Sequence, residues 1–247
     1  MFSQIRKTIF TVGCVGLANI EIAQAEDWID CSNKHTDISL VGCTALLVKE
    51  DFKTLQKWEI LFKWGQAYAK AENYERAIAD YTESADQLTN ENNVTVALEK
   101  STILIERAKA KERKKDLAGA QDDYKKAAKI SPTNSDALFE LGHFYYGNKN
   151  LKEAIDILTA AIAIDNKSAG IFDVRGNAYD DLGQSALAIA DYNRAIEINP
   201  LGDALFFDRG IYYEHRGDKA KALADFKMAV FLNPNYTAAM KAMKRVE

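Results

Sequence analysis

The sequence is poor in proline, cysteine and histidine, with three residues of each among 247. Because neither a proline-rich nor a glycine-rich stretch occurs, the chain has no obvious flexible linker between domains. The histidines and cysteines form no H-x₃-H pair and no Cys/His cluster of the kind that binds zinc. We therefore expect neither a metal site nor a cofactor.

The sequence also lacks the common catalytic motifs. It contains no G-x-S-x-G, no H-E-x-x-H, no P-loop and no G-x-G-x-x-G. Asp180 and Asp181 are adjacent carboxylates, but nothing in the sequence around them indicates an enclosed pocket. These observations predict a protein that is not an enzyme.

Neither sign of charge is in large excess, since the chain has 32 basic and 36 acidic residues and a net charge of −4. A chain without a basic surplus has no global attraction for nucleic acid. Aromatic residues make up 10% of the sequence, and alanine-rich periodic segments accompany them. This composition indicates a folded chain with a sizeable core.

Residues 1–25 have the features of a secretory signal peptide. Arg6 and Lys7 provide the positive end, residues 8–20 are mostly apolar, and residues 23–25 read Ala-Gln-Ala, a typical cleavage site. The apolar run is too short to span a bilayer. The sequence therefore predicts an exported protein, periplasmic or secreted, that is cleaved after Ala25 and has no membrane span.

The three cysteines follow from this prediction. Cys14 lies in the leader, and an envelope lipoprotein tethered there is the alternative to a cleaved signal peptide. Cys31 and Cys43 fall in segment 26–57, where an oxidising compartment favours a disulfide worth about 3 kcal/mol. A redox-active pair is disfavoured because the C-x-x-C spacing is absent. We expect this segment to cap one end of the fold.

The remainder of the chain repeats with a period of 34 residues. Segments 169–202 and 203–236 carry the same residue types at the same offsets, and all three prolines occupy one offset. In the last segment these residues are Phe206, Gly210, Tyr213, Ala222, Phe226, Ala229 and Pro234; in the one before they are Phe172, Gly176, Tyr179, Ala188, Tyr192, Ala195 and Pro200. A period of this length is typical of solenoid proteins.

These residues resemble the signature of the tetratricopeptide repeat (TPR) family. The resemblance implies an all-α, right-handed α-solenoid of stacked helix-turn-helix units. Small residues at the glycine and alanine positions let the two helices of a unit approach closely, and the proline ends the second helix. It also implies a non-catalytic scaffold that binds a protein or peptide segment.

The repeat pattern divides the chain into five units followed by a capping helix at 237–247. The units are 58–91, 101–134, 135–168, 169–202 and 203–236, with an insertion at 92–100. We expect the insertion to lengthen a helix pair rather than to separate two domains. Thr89 stands at the proline position of the first unit, so its second helix is free to run on.

Comparison of the repeats with one another predicts a set of ion pairs. An arginine precedes the glycine position in three units, and an aspartate precedes the second-helix aromatic in the same units. The expected pairs are Arg107 with Asp123, Arg175 with Asp191, and Arg209 with Asp225. In the third unit Leu141 and Ile157 replace both partners together, which indicates that the two positions are in contact. We treat such pairs as surface interactions of at most about 1 kcal/mol each.

The resemblance further implies that first-helix residues line a concave groove. The candidate residues are Phe62, Gln66, Lys70, Lys109, Arg113, Phe139, His143, Tyr146, Asp173, Asn177, Asp180, Asp181, Phe207, Ile211, Glu214 and His215. This groove is basic at its N-terminal end and acidic at its C-terminal end, with aromatic residues between, which suits an extended or helical peptide. The alternative is a carrier or sensor subunit whose groove holds a small ligand or metal.

Overall fold

The computed structural model describes residues 54–247, with side chains from residue 57 onward. The predicted leader 1–25, Cys14 and the Cys31–Cys43 disulfide lie outside the described residues. They remain predictions.

The described part of the chain consists of eleven α-helices joined by short turns. In chain order they are α1 (Thr54–Lys70), α2 (Tyr74–Gln87), α3 (Val94–Arg113), α4 (Leu117–Ile130), α5 (Ser135–Gly147), α6 (Leu151–Ile164), α7 (Ala169–Asp181), α8 (Ser185–Ile198), α9 (Asp203–His215), α10 (Lys219–Leu232) and α11 (Thr237–Val246). Residues 54–247 contain no strand. The all-α helical-repeat solenoid expected from the sequence is thus the fold that the structure shows.

The chain divides into two compact units at Gln87 and Leu88. In the first unit, α1 and α2 pack as one helix pair. The second unit holds four pairs, α3 with α4, α5 with α6, α7 with α8, and α9 with α10. Within the second unit, α4 also packs on α5, α6 on α7, α8 on α9 and α10 on α11.

The second unit has an inner side formed by its first helices. Contacts join α3 to α5, α5 to α7, α7 to α9 and α9 to α11. Within residues 88–247, the second helices α4, α6, α8 and α10 make no such contact with one another. Since the helices on the inner side of a curved stack lie closer together, the concave face of this unit is the one lined by α3, α5, α7 and α9.

A glycine allows the two helices of a pair to touch. A Cβ atom built on Gly210 would lie 2.5 Å from Cε1 of Phe226, which is fully buried. The same applies in the first pair, where a Cβ on Gly65 would lie 2.5 Å from the ring of Tyr81. The aromatic ring thus fills the space that the missing side chain leaves, and the signature spacing follows from this contact.

Every turn within a pair contains one residue with a left-handed backbone. Gly183 and Gly217 have φ of 73° and 74°, a conformation that costs glycine little. Glu72, Lys115 and Lys149 occupy the corresponding place in the other turns, with φ between 58° and 66°. The turn geometry is therefore kept even where the sequence supplies a side chain that disfavours it.

The expectation that the first pair's second helix runs on was wrong. The helix α2 ends at Gln87, and Leu88 is buried. The extra residues instead lengthen α3 at its start, where the side chain of Asn93 accepts hydrogen bonds from the N–H groups of Thr95 and Val96. An asparagine in this position satisfies free backbone donors and fixes the start of the helix.

The three Arg–Asp pairs form within their own helix pairs. Each guanidinium donates two hydrogen bonds to one carboxylate, for example Arg175 Nε and a terminal nitrogen to Asp191 at 2.7 and 2.8 Å. The expectation that these are surface interactions was wrong, because the carboxylates of Asp123, Asp191 and Asp225 are buried. The pair Arg107–Asp123 also receives the amine of Lys111 at 2.7 Å.

The C-terminal helix α11 covers the last repeat with small residues. Ala239, Ala242 and Val246 are its buried side chains, whereas Met240 and Met243 are partly buried. Met243 packs against the apolar cluster that contains Phe226 and Val246, so the helix continues the core of the last repeat.

Candidate functional site

The predicted groove residues lie on first helices in both units. Phe62, Gln66 and Lys70 belong to α1 of the first unit. The others belong to α3, α5, α7 and α9, which line the concave face of the second unit. This second set forms one surface, which we call the inner groove.

Some of the predicted groove side chains instead pack between repeats. The ring of Phe207 lies 5.8 Å from that of Phe226 and 5.1 Å from that of Tyr236. Ile211 contacts the same apolar cluster. Phe139 packs on the cluster that contains Leu158 and stacks on the exposed ring of His143 at 6.0 Å. These apolar side chains hold successive pairs in register, and His143 is the exposed residue among them.

One of the two basic residues at the N-terminal end of the inner groove, Lys109, is neutralised within the protein. The amine of Lys109 lies 3.1 Å from Glu106 Oε1 and 2.8 Å from Glu140 Oε1. Glu106 is on the same helix, α3, and Glu140 is on the next first helix, α5. One ammonium group therefore bridges carboxylates from two successive repeats.

The acidic C-terminal part is also largely paired. Three carboxylates meet a cation: Asp180 with Arg216 at 2.6 Å, Asp181 with Lys149 at 2.9 Å, and Glu214 with Arg245 of α11 at 2.6 Å. His215 Nδ1 lies 4.0 Å from Asp180 and adds a weaker contact. These pairs tie each repeat to its neighbour and reduce the negative charge of the groove.

Two carboxylates in the inner groove differ from the rest. The carboxyl groups of Asp173 of α7 and Asp208 of α9 are neighbours, and each affects the pKa of the other. Burial raises the pKa of Asp173 to about 8, and the neighbouring carboxylate of Asp208 acts in the same direction. Burial also raises the pKa of Asp208. The pair therefore tends to retain a proton at neutral pH.

An amide and a phenol orient this pair. Tyr192 donates a hydrogen bond to Asn177 Oδ1 at 2.7 Å, which leaves the amide nitrogen of Asn177 to donate to Asp208. Asp173 Oδ1 is buried and receives no hydrogen bond from an N–H or hydroxyl group of the described residues. We call Asp173, Asp208 and Asn177 the acidic triad.

The charges of the acidic triad influence two tyrosines of the second unit. Burial raises the pKa of Tyr146 and of Tyr236, and the charges of Asp173 and Asp208 add to the shift in both residues. Sequence reasoning named Asp173, Asn177 and Tyr146 but missed Asp208 and Tyr236. Comparison of the repeats could have identified Asp208. Two repeats earlier, Glu140 occupies the same repeat position, and its carboxylate also lies in the inner groove.

Neither a metal site nor a membrane span occurs within the described residues. No group of three His, Cys, Asp or Glu side chains comes together as a set of metal ligands in that part of the chain. No described helix is both long and apolar enough to cross a membrane.

Family models identify the repeat. Two tetratricopeptide repeat models match the chain, one over residues 113–175 and the other over residues 174–237. Together with the helix pairs and the glycine–aromatic contacts, these matches show that the chain belongs to the tetratricopeptide repeat family. No curated protein matches the chain.

Solved structures share the fold. The crystal structure of the APC/C hetero-tetramer Cut9-Hcn1 aligns with a TM-score of 0.69 and 16% identity, over 91% of this chain and 42% of that chain. YrrB, described as a TPR protein with an unusual peptide-binding site, aligns with a TM-score of 0.55 and 18% identity, over 82% and 97%. MamA aligns with a TM-score of 0.51 and 26% identity, over 59% and 80%.

Proposed function

We propose that this protein is an exported, non-catalytic scaffold that binds a peptide segment of a partner protein in the inner groove. The observation that carries the proposal is the concave face of α3, α5, α7 and α9, on which polar and aromatic side chains lie together. Peptides bind such surfaces through aromatic contacts and complementary charges. The repeat fold supports the broader role of an interaction scaffold, and YrrB, with the same fold, has a peptide-binding site.

Site-specific photo-crosslinking tests this proposal. A crosslinking amino acid replaces His143, which is exposed in the inner groove and is not needed for the core. The matched control carries the same amino acid at Phe231 of α10, whose side chain is 77% exposed and lies on a second helix. Both variants are expressed with the full chain, irradiated in their native compartment and analysed by mass spectrometry.

The expected result is a crosslink from position 143, but not from position 231, to one short segment of a partner. Crosslinks from position 231 alone would place the interface on the second helices and overturn the proposal. Equal capture of many unrelated proteins at both positions would also contradict it, because a specific groove must discriminate between the two faces.

A further inference from the structure

Two arginines of the second unit reach beyond their own helix pair. Arg175 of α7 binds Asp191 through Nε and Nη2, and its Nη1 donates to Thr159 Oγ1 of α6 at 3.1 Å. Arg209 of α9 likewise binds the aspartate of its own pair, and its Nη1 donates to Asn193 Oδ1 of α8 at 2.7 Å. Thr159 and Asn193 occupy the same repeat position. We call each contact from an arginine to the preceding repeat an arginine bridge.

An arginine bridge is directional because its guanidinium group is already fixed. Two hydrogen bonds hold each guanidinium on a buried carboxylate, for example Arg209 on Asp225, where both distances are 2.8 Å. The planar group therefore presents its remaining nitrogen in one direction. The second helix of the preceding repeat must keep its position to accept that hydrogen bond. Consequently α6 is held to α7, and α8 is held to α9.

Within residues 88–247, the contact between α4 and α5 is formed without an arginine bridge. Leu141 occupies the position of the two arginines, and Lys125 occupies the position of their acceptors. Leu141 is buried in an apolar cluster with Tyr124 and Phe144, whose ring centroids are 5.8 Å or less apart, at 5.5 Å. Apolar contacts have no preferred direction, so helices packed in this way can slide on each other by about 1–2 Å.

The polar contacts between these two repeats are more adaptable than an arginine bridge. Lys109 of α3 reaches Glu140 of α5 at 2.8 Å, and its side chain is 41% exposed. Gln121 of α4 donates to the hydroxyl group of Tyr145 at 3.3 Å, which is long for a hydrogen bond. A lysine ammonium group rotates on a flexible stem and lacks the planar geometry of a guanidinium. The contact between α6 and α7 also buries apolar side chains, so the arginine bridge is what distinguishes it.

We propose that the contact between α4 and α5 is the flexible point of the second unit, and that the arginine bridges keep the later repeats rigid. Sliding of α5 on α4 changes the spacing between α3 and α5, which line the inner groove. The groove thereby adjusts at its N-terminal part, while α5, α7 and α9 keep their mutual arrangement. This property belongs to the fold and does not depend on the presence of a peptide.

Pulsed electron paramagnetic resonance on the full-length protein tests this proposal. Spin labels are attached through a non-canonical amino acid, which leaves the cysteines unchanged. One sample carries labels at Lys129 and Glu197, and the other carries them at Ala163 and Phe231. These four residues are exposed and occupy one repeat position on α4, α6, α8 and α10. Each label pair spans two contacts between repeats, and the first pair alone includes the contact between α4 and α5.

We expect the distance distribution of the 129–197 pair to be broader than that of the 163–231 pair by about 1–2 Å, the size of a sliding movement between packed helices. Asn193→Ala removes the acceptor of one arginine bridge and should broaden the 163–231 distribution without changing the other. Lys227→Ala is the matched control and should change neither distribution. It lies at the same repeat position as Asn193, but Met243 stands where the next arginine would be.

A reverse variant introduces the missing bridge. Leu141→Arg, Ile157→Asp and Lys125→Asn together copy the residues of the last arginine bridge and should narrow the 129–197 distribution. Circular dichroism shows that each variant is folded before it is compared. Since Asn193 is exposed, its substitution keeps the test valid if the triple variant does not fold.

Two results would overturn the proposal. Equal widths for the two label pairs in the wild type would show that the contact between α4 and α5 is as rigid as the bridged contacts. An unchanged 163–231 distribution in Asn193→Ala would show that the arginine bridge does not restrain the repeats.

Discussion

The buried ion pair between Arg175 and Asp191 offers a quantitative test of how the repeats are held. We consider the single variants Arg175→Leu and Asp191→Ile, and the double variant that combines them. The double variant copies the third repeat, where Leu141 is buried and Ile157 packs against the same cluster. The protein thus supplies its own apolar version of this contact.

The expected magnitudes follow from burial and geometry. The side chains of Arg175 and Asp191 are 14% and 8% exposed, and two hydrogen bonds join them. Removal of one partner leaves a largely buried charge without its counterion, which costs about 3–5 kcal/mol of the free energy of unfolding. Replacement of both by apolar residues is expected to change that free energy by less than about 1 kcal/mol, because no charge is left behind.

Urea unfolding followed by circular dichroism measures the three variants and the wild type. The slope of the transition is compared as well as its midpoint, since repeat proteins can lose two-state behaviour. The surface pair of Asp122 and Lys126 is the control, because both side chains are more than half exposed, at 59% and 55%. Its coupling free energy should be below about 1 kcal/mol.

Two results would refute this reasoning. If each single variant lost less than about 1 kcal/mol, the pair would behave like a surface interaction despite its burial. If the double variant lost the sum of the two single losses, the positions would be independent, and the joint replacement seen in the third repeat would have another cause.

Three further predictions concern packing, pH and the N-terminal segment. Gly210→Ala should lower the free energy of unfolding by about 1–3 kcal/mol, because the new Cβ would lie 2.5 Å from a ring carbon of Phe226. Gly147→Ala is the control and should not destabilise the protein, because its Cβ would have no neighbouring atom within 4 Å. Thermal or urea unfolding measures both variants. The pKa of Asp173 is raised from 3.8 to about 8 in the folded protein, so protonated Asp173 stabilises the fold fully below pH 3.8. This stabilisation is lost as the pH rises toward 8, and urea unfolding at a series of pH values should show the loss in the wild type but not in Asp173→Asn. Identical pH profiles of the two proteins would contradict the burial argument. The intact mass of the purified mature protein should match a chain that begins at residue 26 and has lost two hydrogens to the Cys31–Cys43 disulfide. A lipid attached to Cys14 would contradict the predicted cleavage after Ala25. Free thiols at Cys31 and Cys43 would contradict the predicted disulfide.

Much of the fold was predictable because the repeat carries its own internal comparison. The glycine and aromatic residues at fixed offsets predict the helix pairs, since their contact is short-range and sterically specific. The exchange of Arg and Asp for Leu141 and Ile157 predicts which positions meet. The burial of these Arg–Asp ion pairs was not predictable from the sequence, since it depends on how the neighbouring repeat packs over them.

The candidate site was less accessible to sequence reasoning. Phe207 and Ile211 occupy the repeat positions of groove residues, but both are partly buried and pack against the apolar cluster that contains Phe226. Asp208 was missed because its importance arises from Asp173 on the preceding first helix, 35 positions earlier in the chain. A pairing between helices of different repeats has no local pattern, so only the packed structure reveals it.

The lysine bridge at Lys109 has a consequence for ligand alignment. A surface built from equal repeats offers a peptide several equivalent positions, each displaced by one repeat, and an extended ligand could slide among them. Lys109 blocks one pair of groove acids with a side chain of the protein itself. The successive repeats of the second unit therefore present different charges on the inner groove, so a chain displaced by one repeat would meet a different set of side chains.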